Sequence, residues 1–148
     1  MTETRDQILA RICPEPAPPG GNPMYARFRQ AGTLGMTAGV LSADRGPVTE
    51  VRQGQQAARQ AICTLLKWLS EDLGNLDAVK QVLRLEGHLA AGERFVDHST
   101  VFDEASRVLL EVFGARTGAH TRVALGSPSL PRGAAVELAL WVEVFPRE

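Results

Sequence analysis

A chain of 148 residues falls in the range of a single domain and is long enough to bury most of the apolar surface that its unfolded form exposes. Hydrophobic residues make up 44% and charged residues 22%, which excludes the low-hydrophobicity, high-charge signature of disorder. A formal net charge of −1 supplies no field to hold a polyanion, since phosphate-driven binding needs several Lys or Arg on one face, so no nucleic-acid partner is expected.

The N-terminus, TETRDQILARIC, lacks the charged-then-apolar order of a signal peptide, and no apolar run approaches the roughly 20 residues of a membrane span. A cytoplasmic protein without membrane contact is the expectation. Residues 1–13 read as a short amphipathic helix, with Thr2 or Thr4 as N-cap and Ile8, Leu9 and Ile12 at helical spacing, packed on the outside of the domain. Residues 14–23 carry five prolines and two glycines and form an extended linker. Residues 24–148 form the domain proper. It opens with two strands, MYARFRQ and TLGMTAGVLS, joined by a tight turn at Ala31-Gly32. Cys13 and Cys63 have no CxxC and no His at metal-ligand spacing, so both read as free thiols and no metal is expected.

From Gln53 to Asn75 the residues Ala57, Ala58, Ala61, Ile62, Leu65, Leu66, Leu69 and Leu73 recur at three- and four-residue spacing, which predicts an amphipathic helix capped by Gly74. VKQVLRLEGHL alternates Leu83 and Leu85 against Arg84 and Glu86, a strand with one buried face. A second helix starts near Val101, with Phe102, Ala105, Leu109, Leu110 and Phe113 on its stripe and Gly114 at its end.

The run AAVELALWVEVF predicts the last strand, with Val136, Leu138, Leu140, Val142 and Val144 inward and Glu137, Ala139, Trp141, Glu143 and Phe145 outward. Two aromatic rings would be poorly used on a solvated sheet face, and two helices blanket only one side of a sheet. A second copy of the chain is the expected cover, so periodicity alone points to a homo-oligomer.

Given this order of elements, the stretch VKQVLRLEGHLAAGERFVDHSTVFDEASRVLLEVFG followed by HTRVALGSPSLPRGAAVELALWVEVF resembles the YjgF-like reactive imine/enamine deaminase (Rid) family, also described as endoribonuclease L-PSP-like. The resemblance rests on Arg122, the Leu130-Pro131 step and Glu137 in the C-terminal part, and on Tyr25 thirteen positions before Ala38-Gly39 in the N-terminal hairpin. It covers residues 21–145. It implies a chorismate-mutase-like α+β fold, a mixed sheet with two main helices on one face plus the extra N-terminal helix. It also implies a homotrimer with ligand clefts between subunits. By the same resemblance Arg122 binds the carboxylate of a 2-imino acid while water attacks the imine carbon, with Arg122 and Glu137 as catalytic residues. Tyr25, Ala38, Gly39, Asp103 and Ala124 fall at substrate-binding positions. Ala38, Asp103 and Ala124 replace the Ser, Asn and Cys typical there.

Each of these residues also has a plain structural reading. A guanidinium suits carboxylate capture because its fork gives two parallel charge-assisted hydrogen bonds, yet Arg122 could equally pair with Glu137 or Glu143. A partly buried Glu137 suits proton shuttling, or serves only as that counter-ion. Tyr25 could lay its ring on a ligand or pack at a strand edge. Gly39 permits close approach of a ligand, or marks a bulge. Asp103 would place negative charge near a substrate carboxylate unless neutralised or turned away. His88, His98 and His120 share no metal spacing and read as solvated or loop-capping.

The function expected is hydrolytic deamination of reactive 2-imino or enamine acids without metal or organic cofactor. Positioning can supply much of the acceleration for such labile compounds. The first rival is a carboxylate-metabolite-binding oligomer without turnover. Endoribonuclease activity comes next, disfavoured by the charge and the scarcity of His, and chorismate mutase activity last.

Overall fold

The computed structural model describes residues 2–146; residue 1 and residues 147–148 of the expected segments lie outside the described residues. Helix α1 (Arg5–Ile12) begins at Thr4, whose hydroxyl accepts from Gln7 N at 3.1 Å while the Gln7 side chain accepts from Thr4 N at 2.9 Å. This reciprocal pair satisfies two of the amides that a helix start leaves without partners. Leu9 and Cys13 are buried in the main core, and Arg5 donates to the carbonyls of Leu76 and Val79 at 3.0 and 2.7 Å.

Cys13 and Cys63 are joined as a disulfide, which corrects their reading as free thiols. The pair is invisible in the sequence because fifty residues separate the two; packing of the end of α1 on the second helix brings their Cα atoms to 5.7 Å. Chain-entropy reasoning assigns closure of a loop of that length about 4 kcal/mol. The proline segment then runs over that helix. Lys67 donates to the carbonyls of Cys13 and Glu15, and Trp68 Nε1 to that of Pro18 at 2.9 Å. Burial beneath this segment lowers the Lys67 pKa from its ordinary value.

Strands β1 (Phe28–Ala31) and β2 (Leu34–Thr37) form a hairpin whose two-residue turn uses Gly32 at φ +60. The second predicted strand is interrupted. β2 ends at Thr37 and β3 (Val40–Leu41) follows, and both pair with the last strand. Met36 faces Trp141 and Val40 faces Leu138, so one more residue lies between the partners on this side than on the other. Ala38-Gly39 is therefore a bulge, as the plain structural reading of Gly39 has it.

Helix α2 (Val51–Leu73) buries the predicted stripe from Ala57 to Leu69 and ends at Gly74, φ +95. Next come a short 3-10 turn (Leu76–Ala78), β4 (Val79–Ala90), α3 (His98–Thr117), β5 (Thr121–Ser127), a second 3-10 turn (Pro131–Gly133) and β6 (Val136–Val144). The sheet order is β1-β2-β6-β4-β5 with β3 also on β6; β4 and β5 are parallel and the other pairs antiparallel. Parallel neighbours need a crossover, and α3 provides it. The result is the expected chorismate-mutase-like α+β arrangement, with α2 and α3 on one face of the sheet.

Two details differ from the periodicity. Val82 and Leu85 both point inward because the register shifts between Val82 and Arg84, so Leu83 does not share the Leu85 face. Leu110 is exposed, and Val108 and Val112 fill the core in its place. Successive helical residues turn by about 100°, so a Leu109 that points inward carries Leu110 away from the sheet. Gly114 interrupts α3 at φ 83, and a further turn of helix follows it.

Iodoacetamide should add no label to unreduced protein under denaturing conditions and two labels after a dithiol reductant, read by intact mass; two labels without reductant would contradict the Cys13–Cys63 bond. Leu9→Ala should cost about 2–4 kcal/mol in chemical denaturation, as expected for a fully packed leucine. A cost below ~0.5 kcal/mol would mean that α1 is not part of the core.

Candidate functional site

The candidate residues fall into two groups at different places on the sheet. The first lies on the helix side of β5, an edge strand. Arg122 Nη1 donates to Asp103 Oδ1 and Ser106 Oγ, both at 3.0 Å, and Nη2 donates to the Ser99 carbonyl at 3.1 Å and Ser99 Oγ at 2.8 Å. These acceptors belong to α3, where residues 99, 103 and 106 recur at helical spacing and present one polar stripe to β5. Behind them His120 Nδ1 lies 2.6 Å from the Gly118 carbonyl and Nε2 lies 2.9 Å from Ser106 Oγ. A carbonyl only accepts, so Nδ1 carries the proton; in the neutral ring Nε2 then accepts from Ser106, whose oxygen is left to accept from Arg122. His120 thus caps and orients, in line with a loop-capping role. Ala124 lies on the same side, packed against the core opposite Gly87.

The ion-pair partner of Arg122 is Asp103, not Glu137 or Glu143 as the plain structural reading had it. The reason is the pleat. Arg122 points toward α3, whereas Glu137 and Glu143 alternate with the buried Val136, Leu138, Val142 and Val144 and point away from the helices. Both Arg122 on β5 and Leu140 on β6 lie opposite Leu85 of the intervening β4, and both Leu125 and Glu137 lie opposite His88. Within one chain Arg122 and Glu137 are therefore on opposite faces, a strand apart and three residues out of line.

The second group surrounds Glu137. A Cβ built on Gly39 would come within 2.8 Å of the Glu137 carboxyl carbon, so the bulge glycine leaves the room that this carboxylate occupies. Ala38 N donates to Arg27 O at 2.8 Å, which ties the bulge to the segment carrying Tyr25, 61% exposed. His88, directly across from Glu137 on β4, lies on the same face, where regular alternation from Arg84 and Glu86 puts it. The rest of this open face mixes apolar and charged residues. Met36, Trp141 and Arg84 form one cross-strand row, Arg84 pairs with Glu86 at 3.4 Å, and Gln81 donates to Glu143 at 2.9 Å.

The sequence reading missed Ser99 and Ser106. The spacing of the two serines with Asp103 on one helix face was the available signal. No group of three or more His, Cys, Asp or Glu able to hold a metal occurs among the described residues, and none of their helices is long and apolar enough to cross a membrane.

A one-sided mixed sheet of this order, with α3 crossing between its parallel pair, defines the chorismate-mutase-like class. Residues 27–144 match the model of the YjgF/chorismate mutase-like family, whose description adds a provisional endoribonuclease assignment, and the chain belongs to that family. It is 37% identical over 106 residues to Protein TCP17 of Trypanosoma cruzi, a match spanning 72% of this chain and 66% of that protein, just under two thirds. Among solved structures it is similar to Atu1372 of Agrobacterium tumefaciens, a protein of unknown function (28% identity, TM-score 0.85, covering 95% of this chain and 92% of that one). It is also similar to a Shewanella oneidensis MR-1 protein described provisionally as an endoribonuclease (28% identity, TM-score 0.82, covering 96% of this chain and 100% of that one). Coverage this high takes in much of the N-terminal extension as well as the family domain.

Gly39→Ala should change stability by less than about 1 kcal/mol, because the flexible end of Glu137 can give way, while shifting the Glu137 carboxylate in a crystal structure of the variant. An unmoved carboxylate would show that the bulge does not set its position.

Proposed function

We propose that this protein assembles as a homotrimer and hydrolyses reactive 2-imino or enamine acids to 2-oxo acids and ammonia, in a cleft to which one subunit brings Arg122 and its neighbour brings Glu137. The observation that carries this reading is the separation of those two residues on opposite faces of one sheet, with an apolar-and-charged open face left without helices. Residues so arranged can act on one small molecule only if two chains meet.

In the proposed reaction Arg122 holds the substrate carboxylate and Tyr25 lies along the ligand. Glu137 accepts a proton from water as the water oxygen bonds to the imine carbon, and returns it to the nitrogen, to which the C=N electron pair has moved, giving the 2-amino-2-hydroxy acid. Glu137 then accepts the hydroxyl proton as the C=O bond forms and delivers it to the nitrogen as the C–N bond breaks, so ammonia leaves and the 2-oxo acid remains. The atoms balance with water as the only co-reactant, and neither metal nor organic cofactor is invoked. The carboxylate-binding reading without turnover is favoured by Ala38 and Asp103, which stand where deaminating members of the resembled family carry Ser and Asn. Endoribonuclease activity, attached provisionally to the family and to the Shewanella protein, would need a basic groove that a net charge of −1 does not suggest.

Decay of 2-iminoacrylate generated in situ should be accelerated by the wild-type protein, and Arg122→Ala and Glu137→Gln should each reduce kcat/KM at least about 100-fold, the scale of a lost general base or charge anchor. No acceleration by well-folded protein would sink the deaminase reading and leave the binding oligomer first. Trp141→Glu, a charge placed in the middle of the open face, should convert a trimer of 16.0 kDa chains to monomer by light scattering. An intact trimer in that variant would place the interface elsewhere.

A further inference from the structure

We infer that Asp103 is a specificity-determining residue: its carboxylate holds the part of the Arg122 fork that a ligand carboxylate would take, so an incoming carboxylate must displace it. This rests on the reading of Arg122 as the ligand anchor and adds to it the residue that tunes the anchor.

Arg122 has five N–H donors, and the four on its terminal nitrogens are engaged by α3. Three of those four acceptors are neutral, and only Asp103 offsets the positive charge. The bonds divide the guanidinium into a fixed part and an exchangeable part. Ser99 accepts through both its carbonyl and its hydroxyl, and Ser106 is itself held by His120, which is anchored on the Gly118 carbonyl. Loss of Asp103 would leave all of these bonds in place. Exposure points the same way: the Arg122 side chain is 19% exposed and the Asp103 side chain 55%. Asp103 can rotate into water with little loss of burial, while Arg122 cannot follow it.

A carboxylate of the chain and a carboxylate of a ligand therefore compete for one Nη1 donor and one positive charge. A partly exposed ion pair is weak, so the competition lowers carboxylate affinity by about 3- to 5-fold and does not abolish it. It penalises only ligands that need the charge. Uncharged ligands of the same size escape it, so Asp103 narrows the preference for acids over their neutral counterparts.

The test uses the full-length protein with Asp103→Asn. Peptide mapping after phenylglyoxal should show Arg122 modified about 3- to 5-fold faster in the variant than in the wild type. Isothermal titration should show pyruvate binding tightened by a similar factor while pyruvamide binding stays the same. In the deamination assay the gain should appear in KM rather than in kcat. Unchanged labelling of Arg122, weaker pyruvate binding in the variant, or no pyruvate binding by either protein would overturn the inference; weaker binding would mean that Asp103 orients the guanidinium instead. The labelling and pyruvate results do not depend on turnover, so an absence of deamination counts against the reaction and not against the role of Asp103. Equal melting temperatures for the two proteins separate the effect from damage to α3.

Discussion

The inward side chains of β6 and β4 pack against the apolar stripes of α2 and α3, and that contact sets the position of every other part. Val136, Leu138, Leu140, Val142 and Val144 are each fully buried in it, and at about 1.5–3 kcal/mol for a buried aliphatic side chain the strand can hold only one register. A shift by one residue would bring Glu137, Trp141 and Glu143 into the core. The same pleat that drives five residues inward therefore fixes Glu137 on the open face. The parallel pairing of β5 beyond β4, enforced by the α3 crossover, turns Arg122 toward the helices at the far edge.

The architecture follows from this division. One face is spent on the core and the other carries the charged and aromatic residues that the core excludes. The N-terminal extension adds a second layer of constraint on the helix side, where Leu9, the Cys13–Cys63 bond and the carbonyls held by Lys67, Arg59 and Trp68 tie residues 5–18 to α2 and its neighbours.

Much of this was legible in the amino-acid order because it is periodic. The stripes of α2 and β6 and the glycine after α2 appear where the spacing puts them, since each reflects one residue pattern meeting one layer of core. Features made by a single extra residue were not legible: the bulges at Ala38-Gly39 and at Val82–Arg84 each break the alternation from which strands are read, and the second reverses the face of Leu83. Contacts between distant segments were equally hidden. Nothing near Cys13 points to Cys63, and nothing near Arg122 points to Asp103 in place of Glu137 until the strand faces are known. The candidate residues themselves were found by resemblance. Their division into two groups, one per face, came only from the register.

That division is the centre of the account, and it is tested most directly by mixing two inactive chains. Arg122→Ala and Glu137→Gln proteins, co-expressed in equal amounts and purified as one assembly, would form sites in which one subunit supplies an intact Arg122 and its neighbour an intact Glu137. With random assembly about one site in four is restored, so about a quarter of the wild-type rate should return, although neither parent has it. Mixed assemblies as inactive as their parents would show that both residues serve a site within one chain, and would contradict the account.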